Sequence, residues 1–330
     1  MPVTINGTTG ITTPAIVNGS ALAFRNKIIN GNFDIWQRGT SLISGTTSRY
    51  LADRFTNGAS GTACTPSQVA FALGQTGVPN EPDYYISTIV ASAVGANNNA
   101  TLHQHIESVK SCAGKTVTLS FYAKSNASRN IAVELYQNFG TGGTPSANVS
   151  IPAGLVALTT SWQKFTVTVN IPSISGKTLG TAGNDSLVVY FWFDAGSSNS
   201  SRASSLGQQS GTFDIAQVQL EEGSVATPFE LRPIGIELAL CQRYYFAFPV
   251  SFFRQSFYNS AGSDTINNNT LHVEMRAVPN ITQPTFSYTN ASGAIVTSVS
   301  KSTVRVGWQS TTSNTTQIDN LASGGASAEL

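Results

Sequence analysis

Residues Leu187–Asp194 read LVVYFWFD. Leu187, Val189, Phe191 and Phe193 recur at every second position, so in extended backbone they share one face, and Val188, Tyr190, Trp192 and Asp194 share the other. A helix would scatter the same residues around its circumference, so the stretch is a strand with one apolar face. The same period appears upstream: Val117–Lys124 turns Val117, Leu119, Phe121 and Ala123 one way, and Ile131–Asn138 does so with Ile131, Val133 and Leu135. Trp162–Ile171 (WQKFTVTVNI) reads as a further strand. From Asn26 to about Glu230, strands alternate with Gly, Asn and Ser turns, which predicts an all-β sandwich.

The composition agrees. Charged residues make up 11% of the 330 positions, against about 25% in an average soluble domain. Ser, Thr, Asn and Gly take their place, as suits a β-protein with a neutral hydroxyl and amide surface. The net charge is +1 with no clustered Lys or Arg, so nucleic-acid binding by counterion displacement has nothing to work with. No apolar run reaches the roughly 18–20 residues needed to span a bilayer, and the first twenty residues lack the basic start and apolar block of a signal peptide. Synthesis in a reducing cytoplasm is therefore expected. Cys64, Cys112 and Cys241 are odd in number and widely spaced. They form no zinc pattern and are expected to be buried thiols, with a Cys64–Cys112 bridge across the sandwich left open.

Three segments follow from these patterns. Residues 1–24, poor in charge and punctuated by Gly, Pro, Asn and Thr, are expected to form an extended attachment arm. Residues 25–232 form the sandwich. Residues 233–330 form a smaller C-terminal β-domain, opened by a helix at Gly235–Tyr245 after Pro228 and Pro233. Its strands are expected at Ser251–Tyr258, Thr270–Ala277, Thr285–Thr289 and Thr303–Gln309, the last with Val304, Val306 and Trp308 as its apolar face.

The faces opposite the core carry the candidate chemistry. Alternation turns out Tyr122 and Lys124, then Glu134, Tyr136 and Asn138, then Tyr190, Trp192 and Asp194. If these strands share one sheet, three Tyr and a Trp stand among carboxylates and amides. Sugars stack their C–H faces on aromatic rings and hydrogen-bond planar amides and carboxylates. Tyr122, Tyr136, Tyr190, Trp192, Glu134 and Asp194 are thus the candidate glycan-binding residues. The other reading of the same face is that a loop, the second domain or a neighbouring subunit covers it. Trp36 and Phe55 read as core, and Asp53 and Arg54 as a pair satisfying buried backbone. No catalytic constellation is visible. GxSxG, P-loop and GxGxxG motifs are missing, His103 and His105 have no third ligand nearby in sequence, and pairing Glu134 with Asp194 as glycosidase carboxylates is unconstrained by spacing. A non-enzymatic protein is expected.

Two resemblances refine this. Asn26–Ser41 (NKIINGNFDIWQRGTS) with Ala52–Phe55, Phe213–Tyr245 (FDIAQVQLEEGSVATPFELRPIGIELALCQRYY), and His272–Ile281 followed by a small-residue tail ending in Glu329 and Leu330 together resemble phage tail-fibre and minor virion proteins that carry a galactose-binding-like jelly roll. The leader Val3–Ile11 also resembles the start of many tail-fibre chains. The resemblance implies a virion structural protein assembled in the host cytoplasm, docked on other virion proteins through its N-terminal arm, homotrimeric, and engaged in host-surface glycan attachment. A head fibre or capsid-decoration protein would use the same arm on another dock. A soluble lectin-like module is the rival from a different class, and a glycan-degrading tail spike would need a solenoid or a carboxylate-lined groove. More broadly, Asn30, Gly31, Phe33 and Asp34, with Val218 and Leu220, resemble the first and last strands of carbohydrate-binding modules. Those strands lie together and often share a structural calcium ion. Here the implied ligands are Asp34 and Asp214, although Ala216 and Gln217 occupy the usual acidic positions and Asp214 lies two residues early.

Overall fold

The computed structural model describes residues 24–322 and 324–330, together with two short strands, β1 (Thr4–Asn6) and β2 (Gly10–Thr12). β1 and β2 pair antiparallel, Thr4 opposite Thr12. The rest of the arm expected over residues 1–24 lies outside the described residues, Phe24 excepted.

Ten strands build the first body: β3 (Gly45–Tyr50), β4 (Phe55–Ala70), β5 (Tyr84–Ala91), β6 (Asn99–Glu107), β7 (Thr116–Ser125), β8 (Arg129–Asn138), β9 (Val149–Leu158), β10 (Gln163–Asn170), β11 (Ser186–Ala195) and β12 (Gly211–Glu222). Their hydrogen-bonded order is β10-β7-β12-β5-β4-β6-β11-β8-β9, with β3 also on β4. The 16-residue β4 belongs to both layers. Phe55–Gly61 pairs with β6, and Ala63–Ala70 pairs with β5. At the changeover Ser60 and Gly61 both oppose Asn99. Gly61 adopts φ +65°, a region glycine enters without cost, and a Cβ there would crowd the Asn98 side chain, so glycine suits this bulge. One layer is therefore β10-β7-β12-β5-β4 and the other β4-β6-β11-β8-β9.

The alternating residues fill the space between the layers. Leu119, Phe121, Val133, Leu135, Leu187, Val189, Phe191 and Phe193 all belong to one buried cluster, joined by Phe33, Phe55, Phe213 and Leu220. The NGNFD segment docks on the last strand. The Val218 amide donates to the Gly31 carbonyl, the Lys27 amide to the Leu220 carbonyl, and the Leu220 amide to Asn26 Oδ1. A Cβ at Gly31 would lie 2.1 Å from the Val218 carbonyl oxygen, which explains the glycine. Asn30 closes the turn through its side-chain bonds to the Ile35 and Asp53 backbone.

The second body starts with α1 (Ile234–Gln242), followed by β13 (Tyr245–Ala247), β14 (Gln255–Asn259), β15 (Asp264–Thr270), β16 (Asn280–Thr282), β17 (Thr285–Thr289), β18 (Ala291–Ser298), β19 (Thr303–Ser310), β20 (Asn314–Ala322) and β21 (Gly325–Ser327). They form three three-stranded sheets, β13-β21-β16, β14-β20-β17 and β15-β19-β18, around Phe246, Phe248, Phe253, Met275, Val304, Val306, Trp308 and Ile318. Two expected strands differ. Thr270–Ala277 is irregular: Leu271 and Met275 are buried, but its backbone is tied at separate points, Met275 to Lys301 and Arg276 to Arg243. Ser251–Tyr258 becomes a strand only from Gln255, because Ser251 turns with φ +63° to bury Phe253.

The two bodies are joined by buried polar contacts. Glu329 receives Arg38 (2.9 Å) and Arg54, which is 1% exposed and donates to the His105 carbonyl at 2.6 Å. The Arg54 guanidinium stacks on Tyr244 and that of Arg38 on Tyr245. Arg243 and the Tyr244 hydroxyl bind Glu107, and Gln37 reaches the Tyr245 carbonyl. Asp53 accepts from the Gln37 amide and side chain, and burial raises its carboxyl to about 6 against the pull of Gln37 and Arg38. Cys64, Cys112 and Cys241 are buried free thiols.

Candidate functional site

The outer face of the layer β4-β6-β11-β8-β9 presents ordered cross-strand rows. One row runs Thr56, His103, Tyr190, Glu134, Pro152, and the next runs His105, Val188, Tyr136, Ser150. The rings of His103 and Tyr190 lie 4.6 Å apart, Tyr190 and Tyr136 6.2 Å, and Tyr190 and Trp192 5.8 Å. A half-buried lattice of His103, His105, Tyr190 and Tyr136 thus lies across three adjacent strands.

A loop forms one wall. The connection from β11 to β12 lays Ala203 and Leu206 against Trp192 and Ala132, and sets Arg202 over the rings of Tyr136 (4.5 Å), Trp192 (5.0 Å) and Tyr190 (5.1 Å). Beneath it Glu134 is fully buried. It accepts two parallel bonds from Arg202, Nε to Oε1 and NH2 to Oε2, each at 2.9 Å. The Trp192 indole (3.0 Å) and the Ser150 hydroxyl (2.6 Å) complete its shell. At the far end of the face, Glu107 is taken up by Arg243 and Tyr244 of the second body.

The sequence-derived candidates divide. Tyr136 and Tyr190 remain on this face. Tyr122 does not join them: β7 belongs to the other layer, where Tyr122 pairs with Lys164 and Ala216. Trp192 faces outward as alternation requires but is only 2% exposed, because the Arg202 loop lies on it. Glu134 is the anchor of that loop rather than an open acceptor. Asp194 follows a register shift after Trp192. It is fully buried and accepts from Thr62, Ser92 and the Gln209 amide. Neither carboxylate is free to serve a glycoside. His103, His105 and Arg202 were not among the candidates. Alternation in TLHQHI, with Leu102 and Ile106 inward, does turn both histidines out; Arg202 sits in a loop without periodicity and left no signal.

Burial pushes the His103 imidazole down to about 3, helped by His105 and Arg202, and the His105 imidazole down to about 4, helped by Arg54. Both rings are neutral at neutral pH. Their Nδ1 atoms bond Thr101 (3.1 Å) and Ser186 (2.9 Å). Burial also raises the Tyr190 phenol. The ring lattice is therefore neutral, with the Arg202 guanidinium along one edge.

Asp34 and Asp214, the pair that the resemblance implies for calcium, stand in different surroundings. The Lys124 ammonium stands 3.5 Å from Asp214, whereas Asp34 bonds Asn32 and has Asp83 and Glu237 as its charged neighbours. Among the described residues no three His, Cys, Asp or Glu side chains gather to hold a metal.

Residues 26–187 match the family model described as carbohydrate binding domain. No curated protein matches the chain in sequence. Among solved structures, a CBM4 structure is 20% identical with a TM-score of 0.31, covering 59% of this chain and 98% of its own. The CBM22-2 xylan-binding domain from Paenibacillus barcinonensis is 14% identical with a TM-score of 0.33, covering 60% of this chain and 98% of its own. The enzymatically active domain of tailspike protein 4 of bacteriophage CBA120 is 12% identical with a TM-score of 0.31, covering 60% of this chain and 22% of its own.

Proposed function

We propose that this chain is a non-catalytic glycan-binding protein of a tailed-phage virion, a tail-fibre or appendage subunit that helps attach the particle to its host. The observation that carries the glycan reading is the ring lattice His103–Tyr190–Tyr136, lying on the body in which residues 26–187 match a carbohydrate binding domain. Neutral rings offer a stacking surface to the C–H faces of a sugar, and Arg202 and the half-buried tyrosine hydroxyls offer hydrogen bonds along its edge. The non-catalytic reading rests on the commitment of Glu134 and Asp194 to buried donors. The virion reading rests on the resemblance of the NGNFDIWQRG, QRYY and HVEMRAVPN segments to phage fibre chains, and it brings with it a homotrimer docked through the N-terminal arm.

Screening the full chain on a glycan array tests the first half: at least one oligosaccharide class should bind, and Tyr190→Ala should abolish that signal. An empty array, or binding indifferent to Tyr190, would overturn it. Antibody labelling of intact particles tests the second half. Label on the tail or an appendage supports it, label on the head shifts the subunit to a head fibre or decoration protein, and unlabelled particles leave a soluble lectin-like module. Light scattering of the assembled protein should return three chains per particle.

A further inference from the structure

The second body carries a groove of about 450 Å³ on the outer face of β15-β19-β18. The pairing registers align its side chains in three rows across the sheet. Asp264, Gln309 and Ser292 form one, Ile266, Gly307 and Ile295 the second, and Asn268, Arg305 and Thr297 the third. The middle row has a missing tooth: Gly307 stands between two isoleucines that are 61% and 58% exposed. Gly307 is not forced by backbone geometry or by crowding. It needs no positive φ, and a Cβ there would meet nothing closer than 3.7 Å. Glycine weakens a strand interior and often marks a place where something approaches the backbone closely. A bulge between Ser292 and Ile295 on β18 brings Ile295 opposite this gap, and bulges are frequent where a side chain is re-aimed beside a site.

The ends of the groove are polar and of opposite sign. Arg305 donates to Asn268 Oδ1 at 3.1 Å and has no carboxylate within ion-pair distance among the described residues. Four residues along β19, about 13 Å away at strand rise, Gln309 and Asp264 close the other end. We propose that this groove is a second ligand site, separate from the ring lattice of the first body, and that it takes an acidic saccharide of one or two residues. The C–H face of the sugar ring lies over Gly307 between Ile266 and Ile295. Its carboxylate meets the Arg305 guanidinium, whose planar fork suits that group, and hydroxyls at the other end donate to Asp264 and accept from Gln309. Two isoleucines are a small patch beside the roughly 1,200 Å² that a stable protein interface buries, which favours the small ligand.

Calorimetric titration of the full chain with cellobiouronic acid, and with cellobiose as the neutral control, tests the site. The acidic disaccharide should bind at least tenfold more tightly than the neutral one. Arg305→Gln should remove that difference. Gly307→Val should weaken binding at least tenfold while leaving the melting temperature unchanged or higher, since the added side chain suits a strand and its Cβ has room. Equal binding of the two sugars, no binding, or binding unaffected by both substitutions overturns the proposal. A change of oligomeric state in Gly307→Val would also overturn it, by making the groove an interface between copies.

Discussion

Trp192 and Tyr136 lie on adjacent strands and face the same way, but removing each ring should have a different consequence. Trp192 is enclosed by Ala132, Ala203 and Leu206 and donates to Glu134, so Trp192→Ala leaves a cavity and an under-satisfied carboxylate. It should cost about 3–5 kcal/mol in chemical denaturation. A loss under about 1 kcal/mol would mean that the loop does not hold the ring. Tyr136 is half-buried and should be a binding residue more than a packing one. The histidines add a pH signature. Folded, His105 and His103 take up protons only near pH 4 and 3; unfolded, they do so near about 6.5. Between those values the unfolded chain binds more protons, so this stability is intact above about pH 6.5 and falls as the pH drops toward 4. Asp53 works the other way. Its folded carboxyl holds a proton up to about 6, against an ordinary value of 3.8, so its contribution declines as pH rises through that interval. Burial raises the Asp34 and Asp214 carboxyls as well, but the two imidazole shifts are the wide ones, so urea unfolding should show stability falling from about pH 6.5 to about 4.5. The slope should be shallower in His103→Gln, and an unchanged slope would remove the imidazole as its source. At this scale the sequence shows direction but not cover. Alternation correctly turned Trp192 and Glu134 away from the core, but nothing periodic announces a loop residue such as Arg202 that comes to lie over them.

The element that decides whether the face is open is the loop between β11 and β12. Its hold is the two-bonded Arg202–Glu134 pair, and Arg202→Ala would leave Glu134 buried with its charge uncompensated. The guanidinium keeps some solvent access, so the expected cost is about 3 kcal/mol, at the low end for breaking a buried pair. Arg202→Lys should recover little of it, because an ammonium cannot make two parallel bonds. Full recovery by lysine, measured by thermal unfolding, would show that charge alone matters. The strands themselves were legible because Val117–Ala123, Ile131–Leu135 and Leu187–Phe193 keep a strict period of two. Their sheet membership was not. β7 and β8 are consecutive in the chain but lie in opposite layers, and alternation gives the same inward face to both, which is why Tyr122 was grouped with Tyr136. β15 escaped for another reason. Its sequence DTINNNT is rich in turn-forming asparagine and has one apolar residue, and it is a strand because β19 offers it a seven-residue ladder.

At the scale of the whole molecule, the first body receives its last polar partner from the end of the chain. Glu329 bridges Arg38 and Arg54, and Arg276 fixes that end through the Ala328 and Glu329 carbonyls. Arg54 is buried, so Glu329→Ala should be costly, about 3–5 kcal/mol, and should loosen the docking of the two bodies. Calorimetry of that variant should resolve two transitions where the native chain gives one; a single transition at the native temperature would show that the docking does not depend on Glu329. The sequence held a trace of this: Asp53 and Arg54 read as a pair serving buried backbone, and Arg54 does reach the His105 carbonyl. Its partner, 275 positions away, has no local signature.

If the ring lattice of the first body binds sugar, losing one of its rings weakens binding while the fold persists. The most direct test is the dissociation constant of the best array oligosaccharide for the native chain and for Tyr136→Ala, measured with the melting temperature of each. Tyr136 is half-buried and outside the core cluster but lies under Arg202, so the melting temperature should fall by only a few degrees, as for a loss of about 1 kcal/mol, while binding weakens at least tenfold. Undiminished binding by Tyr136→Ala, with the fold intact, would contradict the account.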